Sequence, residues 1–258
     1  MSLKLRLILT TALVFVALTI SAESKTRVSA FLGIAKHRNL DAGVTTEAKT
    51  YFQTEIDKTT KRAFSEKNKS YLENKIKAIE SDSKIPQRYK AYWKTYLLYY
   101  TALYYKDVVK DDNKAEEFIE KAIANAKSNL ANSEDYALYA TCVSYSIQFA
   151  SRIKMLGMSD KVKALAEKSL QLDANNVRAY CVLIQLNYFT PKFFGGMSKV
   201  ESLGLKAIKL PIQSDNNMYA PRWGKYTVYD LVYKYYKSSN KTAEANKVKT
   251  AQKQEFPN

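Results

Sequence analysis

The sequence predicts an all-α fold, a stack of about five antiparallel helical hairpins over residues 41–258. Three observations carry that expectation. Apolar residues recur at three- and four-residue intervals through most of this span. Seven glycines and five prolines in 258 residues are few for a chain of many short strands. The run from Lys161 to Phe189, KVKALAEKSLQLDANNVRAYCVLIQLNYF, reads as an amphipathic helix, a break at Leu172-Asp173-Ala174-Asn175-Asn176, and a second helix opening on Val177. That is the second helix of one hairpin joined to the first helix of the next.

From the beginning, Lys4 and Arg6 precede an apolar run from Leu7 to Ile20 and the small pair Ser21-Ala22. This pattern reads as a secretory signal peptide over residues 1–22. The run is short for a bilayer span, which takes about 20 residues, and an uncleaved anchor is the competing reading. No cysteine stands near the junction, so the pattern lacks a lipobox and predicts a periplasmic or secreted protein. Loss of Lys4 and Arg6 would lower the formal charge from +16 to +14. Such basicity argues for non-specific association with anionic polymers or headgroups, and export argues against nucleic acid as a partner. Residues 23–40 read as a lead-in segment. The single histidine, His37, lies between Lys36 and Arg38, which disfavour its protonated form, and reads as solvated.

The first hairpin is expected over 45–64 and 65–80, closed by Pro86, which ends helical continuity. Gln87 to Val109 is the most aromatic stretch. Tyr89, Tyr92, Trp93, Tyr96, Tyr99, Tyr100, Leu103 and Tyr104 fall within an arc of about 140° on a helical wheel, wider than the usual buried stripe. Two readings fit: a middle helix packed against several neighbours, which the width favours, or a helix whose rings line a groove. Asp111 to Asn113 predict a helix start, and Ala115 and Ala122 flank Phe118 and Ile119 in a small-large-small pattern. Ser133-Glu134-Asp135 is expected to open a helix running to about Lys154, ended by Gly157, with the next beginning at Ser159-Asp160. Thr190-Pro191-Lys192-Phe193-Phe194-Gly195-Gly196 then interrupts the pattern before a helix over SKVESLGLKAIKL. Tyr226, Tyr229, Tyr233 and Tyr236 form one face of the penultimate helix, and residues 241–255 read as a polar capping helix.

The Leu-Asp-Ala-Asn-Asn turn, followed by Tyr180 four positions into the next helix, resembles the tetratricopeptide repeat, with Ala174 in place of the usual proline. That resemblance implies a right-handed superhelical α-solenoid whose first helices line a concave binding surface. Starts near 87, 134, 176 and 222 are 47, 42 and 46 residues apart, longer than the standard repeat. The Phe-Gly-Gly loop with Trp223-Gly224 looks like exported tetratricopeptide-type proteins, including the TatT-type component of tripartite periplasmic transporters. It implies an accessory role in periplasmic solute transport.

Function is therefore expected to be recognition rather than chemistry. The candidate binding residues are Tyr92, Trp93, Tyr96, Tyr99 and Tyr100, with Phe193, Phe194 and Trp223 as a rim. They would hold a peptide, a protein partner or an apolar small ligand. If the groove reading holds, alanine at Trp93 and Tyr96 weakens capture without unfolding, whereas loss of helicity marks a core. No residue spacing suggests a metal, cofactor or catalytic set, which leaves an envelope enzyme as the weaker alternative. Lys114, Lys121, Lys161, Lys168, Lys199 and Lys206 recur at seven-residue spacing on second helices. Solubilisation is the preferred reading of that row, ahead of peripheral membrane contact. Cys142 and Cys181, on consecutive first helices, are a candidate disulfide in an oxidising compartment, and two separately buried thiols fit equally well.

Overall fold

Ten α-helices occur among the described residues, 51–212 and 217–257 of the computed structural model, with no strand among them. They are α1 (Phe52–Ser65), α2 (Ser70–Ser81), α3 (Gln87–Tyr104), α4 (Asp112–Lys127), α5 (Ser133–Ser146), α6 (Arg152–Leu172), α7 (Val177–Phe189), α8 (Val200–Lys209), α9 (Lys225–Ser238) and α10 (Thr242–Glu255). Each odd-numbered helix packs on the helix that follows it, and the odd-numbered helices pack side by side in succession. The expected stack of five helical hairpins is present. The signal peptide expected over 1–22, the lead-in over 23–40 and His37 lie outside the described residues.

Short polar side chains set the helix starts. Asp111 accepts the Lys114 backbone N–H at 2.9 Å, and Asn132 forms a reciprocal capping box with Asp135. In the Leu-Asp-Ala-Asn-Asn turn, Asn176 accepts the amides of Arg178 and Ala179. The Tyr180 hydroxyl donates to the Ala174 carbonyl at 3.2 Å, pinning the turn where a proline is absent. Small residues on the second helices meet their partners closely, as the sequence pattern predicts: Ala115, Ala122, Ala166, Ser169 and Ala207 are all fully buried. Gly204 extends the rule, since a Cβ there would lie 2.1 Å from Val232 Cγ2 on α9.

Two adjoining helix boundaries differ from expectation, since α5 ends before Lys154 and α6 starts at Arg152 rather than at Ser159-Asp160. The helix opened at Ser133 ends at Ser146, continues as a single 3₁₀ turn over Ile147–Phe149, and breaks at Ala150 and Ser151, both extended. Gly157 therefore lies inside α6 rather than capping a helix, and its surroundings are open. A five-residue π turn, Tyr105–Val109, ends the aromatic helix, and Lys110 closes it in a left-handed conformation.

The core runs through the stack as three clusters. Cys142 belongs to the N-terminal cluster with Trp93 and Tyr99, and Cys181 to the C-terminal one with Val228 and Leu231. Both are free thiols, so the candidate disulfide does not form. Facing different clusters, the two side chains serve as small apolar fillers. Burial pushes both thiols up, Cys181 to about 12, which leaves little thiolate for chemistry.

Candidate functional site

Tyr92, Trp93, Tyr96, Tyr99 and Tyr100 do not line an open groove: each is at most 4% exposed. Tyr99 is covered by Tyr145 on α5 and Tyr100 by Phe64 on α1, whereas for Tyr92, Trp93 and Tyr96 the reason lies far along the chain. Residues 217–224, between α8 and α9, return across α1 and α3 and occupy the face that the rings would have offered. Trp93 Nε1 donates to the Tyr219 carbonyl at 2.9 Å, and Trp223 Nε1 donates to the Tyr92 hydroxyl at 2.8 Å. The Phe52 amide donates to the Met218 carbonyl, and the Arg222 amide to Gln53 Oε1. Tyr219 packs against Phe52 and Tyr89, and Trp223 against Tyr96. Trp223 is consequently a core residue, 5% exposed, rather than part of a rim.

The edge-to-face contacts of Trp93 with Tyr92 and Tyr96, and of Tyr99 with Tyr100 and Tyr145, show how one helix can bury so many rings. Burial raises the pKa of Tyr92, Tyr96, Tyr99 and Tyr100, so the hydroxyls stay neutral. A recess beside this cluster, between Ala91, Tyr92, Thr95, Ala126, Asn129, Asp135 and Leu138, holds about 10 Å³. That is room for roughly one water and no larger ligand.

Asp57 on α1 adds a titratable group to this core. Burial pushes its carboxyl up to about 7, partly offset by a hydrogen bond from Gln53 Nε2 at 3.3 Å. The unfolded chain loses this proton near its ordinary value of 3.8 while the folded chain retains it, so stability falls as pH rises from there to about 7. Asp57→Asn is expected to exceed the parent in stability by about 1–3 kcal/mol near pH 8 and to match it near pH 3.5, the full shift being discounted because Asp57 is only half-buried. Urea midpoints at the two pH values measure the difference, and an equal gain at both would exclude ionisation as its source.

The remaining two sequence candidates behave differently. Phe193 is 90% exposed and Phe194 59%, and their rings meet edge to face at 5.1 Å. The loop that carries them is held by its own hydrogen bonds. Pro191 opens a 3₁₀ turn over Lys192–Phe194, and the Phe194 and Gly196 amides both donate to the Pro191 carbonyl. Gly195 takes a φ of +80°, which glycine adopts without strain. Gly196 sits so tightly that a Cβ would fall 1.7 Å from the Thr190 carbonyl oxygen.

Asn187, which the sequence reading passed over, anchors the far side of the loop. Its backbone carbonyl accepts the Met197 amide at 2.9 Å and its Oδ1 accepts the Lys199 amide at 2.8 Å. The available signal was an amide side chain in the last turn of a largely apolar helix just before a proline-glycine loop. Lys192 and Lys199 flank the rings, are exposed, and have no carboxylate partner among the described residues. The result is a fixed loop presenting two aromatic rings between two cations.

Of the row of lysines on the second helices, four are engaged, while Lys168, like Lys199, is exposed. Lys114 and Lys121 both pair with Glu117, whose pKa their hydrogen bonds hold near 2, while Lys161 and Lys206 lie over Tyr139 and Tyr180. Among the described residues, no cluster of three or more His, Cys, Asp or Glu side chains could hold a metal. No described helix is long and apolar enough to cross a membrane.

No protein-family model and no curated protein sequence matches this chain. Among solved structures, the chain is similar to the HusA haemophore from Porphyromonas gingivalis, with a TM-score of 0.53 and 18% sequence identity, over 75% of this chain and 97% of that one. At this identity the likeness is one of fold, a helical architecture.

Proposed function

We propose that this chain is an exported, non-enzymatic binding protein whose recognition element is the loop over residues 190–199. Its ligand would be apolar and ring-bearing, with an acidic group. The observation that carries this reading is Phe193, 90% exposed on a loop that its own hydrogen bonds hold in place. A flexible tip could fold two phenylalanines back onto the protein and gain about 1.5–3 kcal/mol for each ring buried. This loop instead keeps both in water, where a ligand can stack on them at little ordering cost. Lys192 and Lys199 would meet the ligand's acidic group. The likeness in fold to a structure named as a haemophore makes a porphyrin, a flat apolar ring system with carboxylates, the natural first probe. An accessory role in solute transport would use the same recognition, with a protein partner receiving the ligand.

Spectroscopic titration of the protein with a porphyrin tests this directly. Phe193→Ala with Phe194→Ala is expected to weaken binding about 10- to 100-fold, the worth of two lost aromatic contacts, while leaving the helical circular dichroism intact. Unchanged affinity in the double variant would place recognition elsewhere on the molecule.

A further inference from the structure

The alternation of helices puts every turn within a hairpin at one edge of the stack and every connection between hairpins at the other. Three of the exposed large apolar side chains fall on the first edge: Val109 after the π turn, and the Phe193–Phe194 pair. The same edge carries Lys110, Lys192, Lys199 and Lys237, all exposed and none in contact with a carboxylate among the described residues. Most of its acidic groups, by contrast, are occupied, the exception being Glu244, exposed in the first turn of α10. Asp112 is held by Lys106, Glu201 by Lys241 and two tyrosine hydroxyls, and Glu66 by Arg62 and Tyr71, while Asp111 caps α4. Asp107 is half-buried. The edge therefore combines projecting rings with a surplus of positive charge, whereas four of the six lysines of the outer row, all but Lys168 and the edge's own Lys199, are engaged by carboxylates and rings.

We infer that this edge docks on an anionic lipid surface, with Phe193 and Phe194 entering the headgroup region and the lysines of the neighbouring turns meeting acidic headgroups. Rings at a fixed loop tip reach the interface where aromatic side chains partition favourably, and each nearby lysine adds an attraction that salt weakens. Rigidity matters here for the same reason it does with a small ligand, because no loop ordering opposes insertion. The inference rests on reading this loop as the recognition element and adds the surface on which it works, where an apolar acidic ligand would itself be concentrated.

Sedimentation with lipid vesicles tests it, using the exported chain without residues 1–22 and no porphyrin. The protein is expected to bind phosphatidylcholine vesicles containing about 30% phosphatidylglycerol, to bind pure phosphatidylcholine at least tenfold less, and to release as salt rises from about 0.1 to 0.5 M. Phe193→Ser with Phe194→Ser, and separately Lys192→Glu with Lys199→Glu, should each reduce binding tenfold or more. Lys84→Glu with Lys127→Glu makes the same change in charge at the opposite edge and should leave most of the binding in place.

Equal losses in both charge variants would reduce the effect to net charge and overturn the inference, as would wild-type binding by the serine variant. A wild-type dimer that the serine variant splits, with no vesicle binding, would show that a second copy covers the rings and would equally overturn it. The lipid-free porphyrin titration keeps the two readings separable. Porphyrin binding without vesicle binding removes the docking surface alone, and vesicle binding without porphyrin binding removes the ligand reading alone.

Discussion

Arg178→Ala is expected to lower the unfolding free energy by about 3–5 kcal/mol, because it leaves a poorly solvated carboxylate without its partner. Arg178 is 2% exposed and grips Glu134 through two 2.6 Å hydrogen bonds, from Nε to Oε2 and from Nη2 to Oε1. Its Nη1 donates to the Ile212 carbonyl at 2.8 Å and more weakly to that of Trp223. One guanidinium thus ties α5 and α7 to the connection that leads into α9. Burial opposes the charge, and the field and hydrogen bonds of Glu134 more than restore it, so Arg178 stays ionised. Urea unfolding followed by circular dichroism measures the loss. Replacing both partners, Arg178→Met with Glu134→Leu, should recover most of it, since the buried charges are then absent together. A single-variant loss below about 1 kcal/mol would show that water reaches the pair and that its burial is not what matters.

Trp93→Ala is expected to cost about 3–5 kcal/mol, and Tyr96→Ala a similar amount. Together these approach or exceed the whole stability of an ordinary domain, about 5–15 kcal/mol, so the double variant should lose its helical signal at room temperature. Trp93 is fully buried, packs edge to face with Phe52, Tyr92 and Tyr96, and donates to the Tyr219 carbonyl. Removing it opens a cavity and takes the donor from a part-buried carbonyl at once. A folded double variant with impaired ligand capture would be the opposite result, the one an open groove requires. The contrast with Phe193 and Phe194 is sharp: the same class of side chain is structural in α3 and available to a partner at the loop.

Particular residues show why some of this was legible and some was not. Asn176 and Asp111 were recognisable as caps because a cap acts over two or three residues. The small residues Ala166 and Ala207 were recognisable because helix pairing within a hairpin demands close approach at regular spacing. Arg178 carried a signal that went unused, being the only charged residue in the thirteen of α7. The break after Ser146 had weaker cues, since Ile147, Gln148 and Phe149 suit a helix and only the extended Ala150 and Ser151 end it. Cys142 and Cys181 sit on neighbouring helices as expected, but helix neighbours can point a side chain into either of two cores, and spacing along the chain does not say which.

By itself, the sequence determined the helices, most of their ends, their pairing into five hairpins and the place of the proline-glycine loop, because all of these depend on interactions between residues close along the chain, while leaving open whether Phe193 and Phe194 fold back or project. Only the tertiary structure decided that residues 217–224 cover the aromatic face of α3. The bond from Trp93 to Tyr219 joins positions 126 apart, and helical periodicity records that a face is apolar without recording what lies against it. An apolar face is drawn to any apolar partner, and here a segment of the same chain reaches it first. That leaves Phe193 and Phe194, which no other part of the described chain covers, as the rings turned outward.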